Sequence, residues 1–279
     1  MSDLKNTSYS HESYSTHAGF VPLLTSKITT LLAPQPHEKI IDLGAGDLIL
    51  TSKLSPHCTQ VLALDASTEL LTSGRSLFPE SKYPNLQTKI LDCRYLLQEK
   101  EIVDGSWDKV FSNAALHWIL RDPTTRLDVL RGVHGCLKPG GKFVAEMGGF
   151  GNIDEIHVAI TAALVMSGVS AEKVREVNPW FYPSKEFMKK MLEEVGFEVE
   201  VIEIEYRPTE LSLEDEGGEG GVKAWIEMFG QRFLELMGEG ERGKVAAVAR
   251  GLLEGISRRE DGRWIAGYVR LRWVAVKKA

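Results

Sequence analysis

The run Ile40-Ile41-Asp42-Leu43-Gly44-Ala45-Gly46-Asp47 constrains the fold of this chain more than any other segment. Its apolar residues have the length of a strand covered on both faces, and the strand ends in a carboxylate followed by two glycines one residue apart. Glycine reaches backbone angles closed to other residues and lets a ligand touch the main chain, so a tight turn into a helix is expected here. Four more strand-like runs follow, at 61–65, 88–92, 107–113 and 142–146. Helical spacing fills the intervals. In the clearest case Asp122 is a candidate cap, Pro123 occupies the first turn, and Leu127, Leu130, Val133, His134 and Leu137 share a face. Lys138-Pro139-Gly140-Gly141 then ends that helix and turns the chain into the next strand. Alternation of this kind predicts an α/β fold with a doubly wound, mostly parallel sheet and right-handed crossovers.

The second half is patterned differently. Ser184 can cap a helix that buries Phe187, Met188, Met191, Leu192 and Val195. Residues 197–206 alternate apolar and acidic, as a half-exposed strand does. An acidic, glycine-rich stretch at 214–221 is either a solvated linker or a lid hinge. Two amphipathic helices follow, one with Val222, Trp225, Ile226, Phe229, Phe233 and Leu236, the other with Val245, Val248, Ala249, Leu252, Leu253 and Ile256. A last strand spans 264–276. The expected organisation is an N-terminal helical segment (1–34) and one main domain (35–279), with a helical cap inserted at 207–262.

Composition narrows the partners. With 43% hydrophobic and 26% charged residues the chain is an ordinary globular one. No apolar stretch approaches the ~20 residues of a membrane span, and the polar start carries no leader pattern. Three scattered cysteines argue against a disulfide framework or a zinc site. A net charge of -6 disfavours a nucleic-acid surface. The expectation is a cytoplasmic protein with no membrane partner, no nucleic acid and no metal.

The carboxylates at the strand ends point to a nucleoside. Asp65 follows Gly44 by 21 residues, where a carboxylate can accept hydrogen bonds from both ribose hydroxyls. A dinucleotide loop would require a third glycine at position 49, which is Ile49, and Asp42 would repel a pyrophosphate. An adenosine with a cationic tail suits the loop better. S-adenosylmethionine, with its sulfonium and ammonium groups, is such a molecule.

On these residues the chain resembles the class I S-adenosylmethionine-dependent methyltransferases. Asp42-Leu43-Gly44-Ala45-Gly46 resembles their first motif, Asp65 their ribose acid, Asp92-Cys93 the pair beside the adenine, and Leu137-Lys138-Pro139-Gly140-Gly141 the turn before the fifth strand. Ser112-Asn113-Ala114-Ala115-Leu116-His117-Trp118, the segment 178–184 and Tyr268-Val269-Arg270-Leu271-Arg272 are similar to the trans-aconitate methyltransferase-like group. One departure is Leu48, where the family often has glycine. The resemblance implies a seven-stranded Rossmann-like sheet and S-adenosyl-L-methionine as cofactor. It implies cofactor contacts at Tyr14, Asp42, Gly44, Ala45, Gly46, Asp65, Ala66, Asp92, Cys93, Asn113 and Ala114. His117 is the candidate base, with a pocket-wall role as the other reading. His17, Trp118, Glu146, Trp180, Tyr182 and Trp225 are candidates to bind a small-molecule acceptor, whereas His134 reads as structural. Arg270 and Arg272 share a strand face and serve either exposed salt bridges or an acidic substrate. The implied reaction is methyl transfer to an oxygen of a metabolite, a carboxylate or a phenol or enol. N- or C-methylation, or cofactor binding without methylation by a partner protein or cyclase, are the alternatives. The sequence names neither the acceptor nor the oligomeric state.

Overall fold

A computed structural model describes residues 25–213 and 220–278. Strands β1 (Lys39–Leu43), β2 (Gln60–Asp65), β3 (Leu86–Ile90), β4 (Trp107–Asn113), β5 (Leu137–Gly148), β6 (Phe197–Glu210) and β7 (Ile265–Lys277) form one sheet in the order β3-β2-β1-β4-β5-β7-β6. The first five pair in parallel, and β7 runs antiparallel to both its neighbours. The described helices are α1 (Ser26–Leu32), α2 (Ile49–Leu54), α3 (Thr68–Leu77), α4 (Leu116–Ile119), α5 (Arg126–Cys136), α6 (Asp154–Met166), α7 (Ala171–Glu176), α8 (Lys185–Glu194), α9 (Gly221–Phe229), α10 (Gln231–Leu234) and α11 (Glu239–Ser257).

Strand pleating sorts the side chains onto two faces. Ile41, Leu43, Val110, Phe143, Ala145 and Trp273 pack with Val129, Leu130 and Val133 of α5 and with Met188, Met191 and Leu192 of α8. Ile40, Phe111, Val144 and Val274 face the other way, against Ile28 and Leu32 of α1, Leu54 of α2 and Leu71 of α3. By the same alternation Asp42, Glu146, Arg270 and Arg272 lie on this second face. A separate apolar cluster joins α6, α9, α10 and α11 through Ile160, Trp180, Trp225, Phe233 and Trp264.

Several sequence expectations shift by a few residues, each for a local reason. β3 stops at Ile90, because Asp92 caps a 3-10 turn over Cys93–Gln98, accepting from the Arg94 amide. α5 begins at Arg126, because Asp122 accepts from the amide and hydroxyl of Thr124 and closes its own turn upstream. The Lys138–Gly141 stretch forms a bulge within β5, with Gly140 at φ +78, so Leu137 belongs to the strand and not to the helix before it. Ser184 does cap α8, but Phe187 is 45% exposed, since Met188, Met191 and Leu192 fill the buried face. In α11 the buried row is Val245, Ala246, Ala249 and Leu253; Val248, Leu252 and Ile256 face outward, Ile256 at 75% exposure. β6 continues to Glu210, so position 207 lies inside a strand. Most of the N-terminal segment and positions 214–219 of the acidic stretch lie outside the described residues.

Candidate active site

The first part of the site is a rim at the carboxyl ends of β1 to β4. Gly44 turns the chain at φ +77, and a side chain there would collide with the Ala115 methyl. The amides of Gly44 and Ala45 both donate to the Leu64 carbonyl, at 2.8 and 3.0 Å, which ties the turn to the end of β2. Asp65 completes the tie: its Oδ2 accepts from the Gly46 amide and its Oδ1 from the Ser67 amide, each at 2.8 Å. Among the described residues nothing lies within 4 Å of the Cβ position of Gly46, so they leave the outer side of the turn open. Leu48 sits at φ +64 and is fully buried. The left-handed conformation costs ~1–2 kcal/mol, and burying a leucine contributes ~1.5–3 kcal/mol, so packing holds this residue where glycine would be at ease.

Two carboxyl groups on this rim sit in unfavourable surroundings. Asp42 is 3% exposed and accepts a hydrogen bond from Thr51 Oγ1 at 2.6 Å. Burial, with the nearby Asp65 charge added, pushes its pKa up to about 7. Burial also raises Asp65, against the pull of its amide donors. Each would be relieved by a cation. Asp92 differs: burial works against its charge, but Arg94 grips both its oxygens and holds it below the usual carboxylate range. Cys93 is buried beneath the rim, next to Gly44. At the end of β4 the Asn113 Oδ1 is buried without a hydrogen-bond partner among the described residues. Open backbone, paired acids in need of positive charge and a spare acceptor fit an adenosine with a cationic tail. No group of His, Cys, Asp and Glu among the described residues could hold a metal ion.

Asn113 and Ala114 belong also to a cavity of ≈ 720 Å³, part of it open to solvent. Trp118, Trp180, Tyr182, Trp225, Phe229 and Tyr268 wall it. Trp180 and Tyr182 stack with centroids 5.9 Å apart, and Trp225 Nε1 donates to the Tyr268 hydroxyl at 2.7 Å. His117 lines the cavity, and its Nδ1 has no hydrogen-bond partner among the described residues. Burial, helped by the Arg270 charge, lowers its pKa to about 3. Its imidazole is therefore neutral at ordinary pH and a weak proton acceptor.

Glu146 is 2% exposed, and its Oε1 accepts from Arg270 Nε at 2.9 Å and from Arg207 Nη2 at 3.1 Å. Its Oε2 accepts from Arg272 Nε. Burial opposes its charge, but the three guanidinium groups outweigh burial and its pKa falls. The expectation of exposed salt bridges for Arg270 and Arg272 is corrected here: both are buried, Arg272 among Glu146, Glu203 and Glu205 and Arg270 in the cavity wall beside Glu146.

The structure thus gathers Asp42, Gly44, Ala45, Gly46, Asp65 and Ala66 at one rim, and His117, Trp118, Glu146, Trp180, Tyr182 and Trp225 at the adjoining cavity. Tyr14 and His17 lie outside the described residues. Sequence reasoning does not single out Arg207, Asn152 or Tyr268 as site residues, yet all three line the cavity. Arg207 carries a signal, being the basic residue that breaks the acidic row Glu203, Glu205 of β6.

The family described as a methyltransferase domain matches residues 41–145. A relative from Schizosaccharomyces pombe named as an uncharacterized methyltransferase is 37% identical over 270 residues, covering 97% of this chain and 98% of its own. Trans-aconitate 2-methyltransferase of Deinococcus radiodurans is a more distant match, 29% identical over 122 residues, 43% of this chain and 42% of that one. A methyltransferase-type crystal structure from Bacillus halodurans superposes with a TM-score of 0.61 at 15% identity, covering 92% of this chain and 100% of that one, a likeness of fold alone. The chain belongs to the class I S-adenosylmethionine-dependent methyltransferases. It is an enzyme whose cofactor is S-adenosyl-L-methionine.

Proposed function

We propose that this enzyme methylates a carboxylate oxygen of a small organic acid bound in the aromatic cavity. The observation that carries this reading is the pair Arg207 and Arg270, two guanidinium groups lining a cavity that offers no competent base among the described residues. His117 is held neutral, Glu146 is occupied by three arginines, and burial keeps the phenols of Tyr182 and Tyr268 protonated. A phenol or alcohol would need its proton removed, whereas a carboxylate arrives without one. The distant relative named for trans-aconitate, an acid anion, supports the same acceptor class.

When bound, S-adenosylmethionine supplies an electrophilic methyl group on sulfur. Asp65 is assigned to the ribose, Asp42 to the positive tail, and the Gly44-Ala45-Gly46 backbone to close approach. Asp92, Cys93, Asn113 and Ala114 complete the cofactor side. Arg207 and Arg270 hold the acid, and the aromatic walls fix its plane and exclude water. Orientation of this kind can contribute ~7–11 kcal/mol in favourable cases. In this reading His117 is a wall and not a base.

Methyl-labelled S-adenosylmethionine incubated with matched acids, phenols and amines tests the reaction. Label in an alkali-labile ester of an acid is the expected result. Label confined to phenols or amines would overturn it.

A further inference from the structure

Glu146 and Arg272 are the most enclosed charges beside the cavity, at 2% and 1% exposure. Strand register sets Glu146 of β5, Arg272 of β7 and Glu203 of β6 side by side across three strands. Arg272 Nη1 donates to Glu205 at 2.6 Å and to Glu203 at 3.3 Å, while its Nε donates to Glu146. Lys27 of α1 closes the far end on Glu203 at 2.6 Å. Charges therefore alternate from α1 through the sheet to the cavity.

The cavity end of this row is left with donors to spare. Arg270 is 4% exposed and only its Nε meets an acceptor among the described residues. The same side chain lines the cavity, and its Nη groups are available to whatever enters. A guanidinium so enclosed is costly unless a further acceptor completes it. Glu146 fixes which edge of Arg270 is used internally, and so which edge is presented. Beside it the near-parallel rings of Trp180 and Tyr182, 17° apart, offer flat surfaces that suit a planar body.

We infer that Glu146 and Arg272 are positioning residues that aim Arg270 and Arg207 at the anionic group of a flat, unsaturated acid. The inference rests on the acid-acceptor reading above. Arg272 neutralises one oxygen of Glu146, which leaves the other to bridge the two cavity arginines. Without Arg272, Glu146 would draw Arg270 inward; without Glu146, the three guanidinium groups would repel one another.

The test is calorimetry on the full chain saturated with S-adenosylhomocysteine, titrated with trans-cinnamate and with its neutral counterpart trans-cinnamamide. The wild type is expected to prefer the acid by about tenfold or more, the scale of charged hydrogen bonds. In E146Q and R272M that preference is expected to drop below about twofold, with E146D and R272K intermediate and cofactor-product affinity unchanged. Should R272M fail to fold, E146Q decides. Full acid preference in the glutamine and methionine variants would overturn the positioning role while the acid reading stands. Equal binding of acid and amide by the wild type would overturn the acid reading and this inference with it.

Discussion

The rim at β1 and β2 and the cavity beside β5 and β7 both hold buried charge, but they balance it in opposite ways. On the rim two carboxyl groups sit together and burial raises both pKa values. In the cavity one carboxylate is shared by three arginines and is held ionised. Among the described residues Asp42 and Asp65 lack a cationic partner, whereas the cavity lining holds two arginines for one carboxylate. A cofactor with a cationic tail and an acceptor with an anionic group would each supply what its own side lacks.

If the two sides are separate binding surfaces, substitutions should affect one and spare the other. Gly44→Val should have the largest effect, since it forces a β-branched residue to φ +77 against Ala115. A stability loss of about 3 kcal/mol or more is expected in thermal melts, with cofactor binding abolished. Asp65→Ala removes an acceptor from the Gly46 and Ser67 amides. Calorimetry should show S-adenosylhomocysteine binding weakened by ~1.5–3 kcal/mol, with acid binding in the cavity little changed. Arg270→Lys should do the reverse, raising KM for an acid by about tenfold at unchanged cofactor affinity. Loss of both affinities in either variant would break the division.

Much of the rim is legible in the sequence because its parts are local. β1 and β2 carry their acids and glycines at their own carboxyl ends, so reading these strands locates Asp42, Gly44 and Asp65 together. The cavity is assembled from 113–118, 146–152, 180–182, 207, 225–229 and 268–270. Burial of Arg272 depends on β6 lying beside β7 with Lys27 of α1 beyond it, and burial of Arg270 on the cavity walls, which no local pattern records. The alternating acids of β6 read as a solvated face; Glu203 and Glu205 are instead partners of Arg272. Arg94 on Asp92 is also out of reach, since it depends on the 3-10 turn after β3.

Smaller effects should follow pH. Asp42 is raised to about 7 from an ordinary 3.8, so the folded, ligand-free protein keeps a proton that the unfolded chain gives up. Stability from this group is present in full below pH 3.8 and is lost as pH rises through about 7. Melting temperature without ligand should therefore fall across that window, whereas affinity for the cationic cofactor should rise. His117→Ala should leave the pH profile of turnover unchanged above about pH 5, because the imidazole is already neutral there.

A crystal structure of the chain with S-adenosylhomocysteine bears most directly on this division of labour. The expected result is ribose on Asp65, the amino group beside Asp42 and the sulfur facing the cavity at Asn113 and Ala114. A nucleoside bound elsewhere, or a sulfur turned away from Arg270 and the aromatic walls, would contradict it.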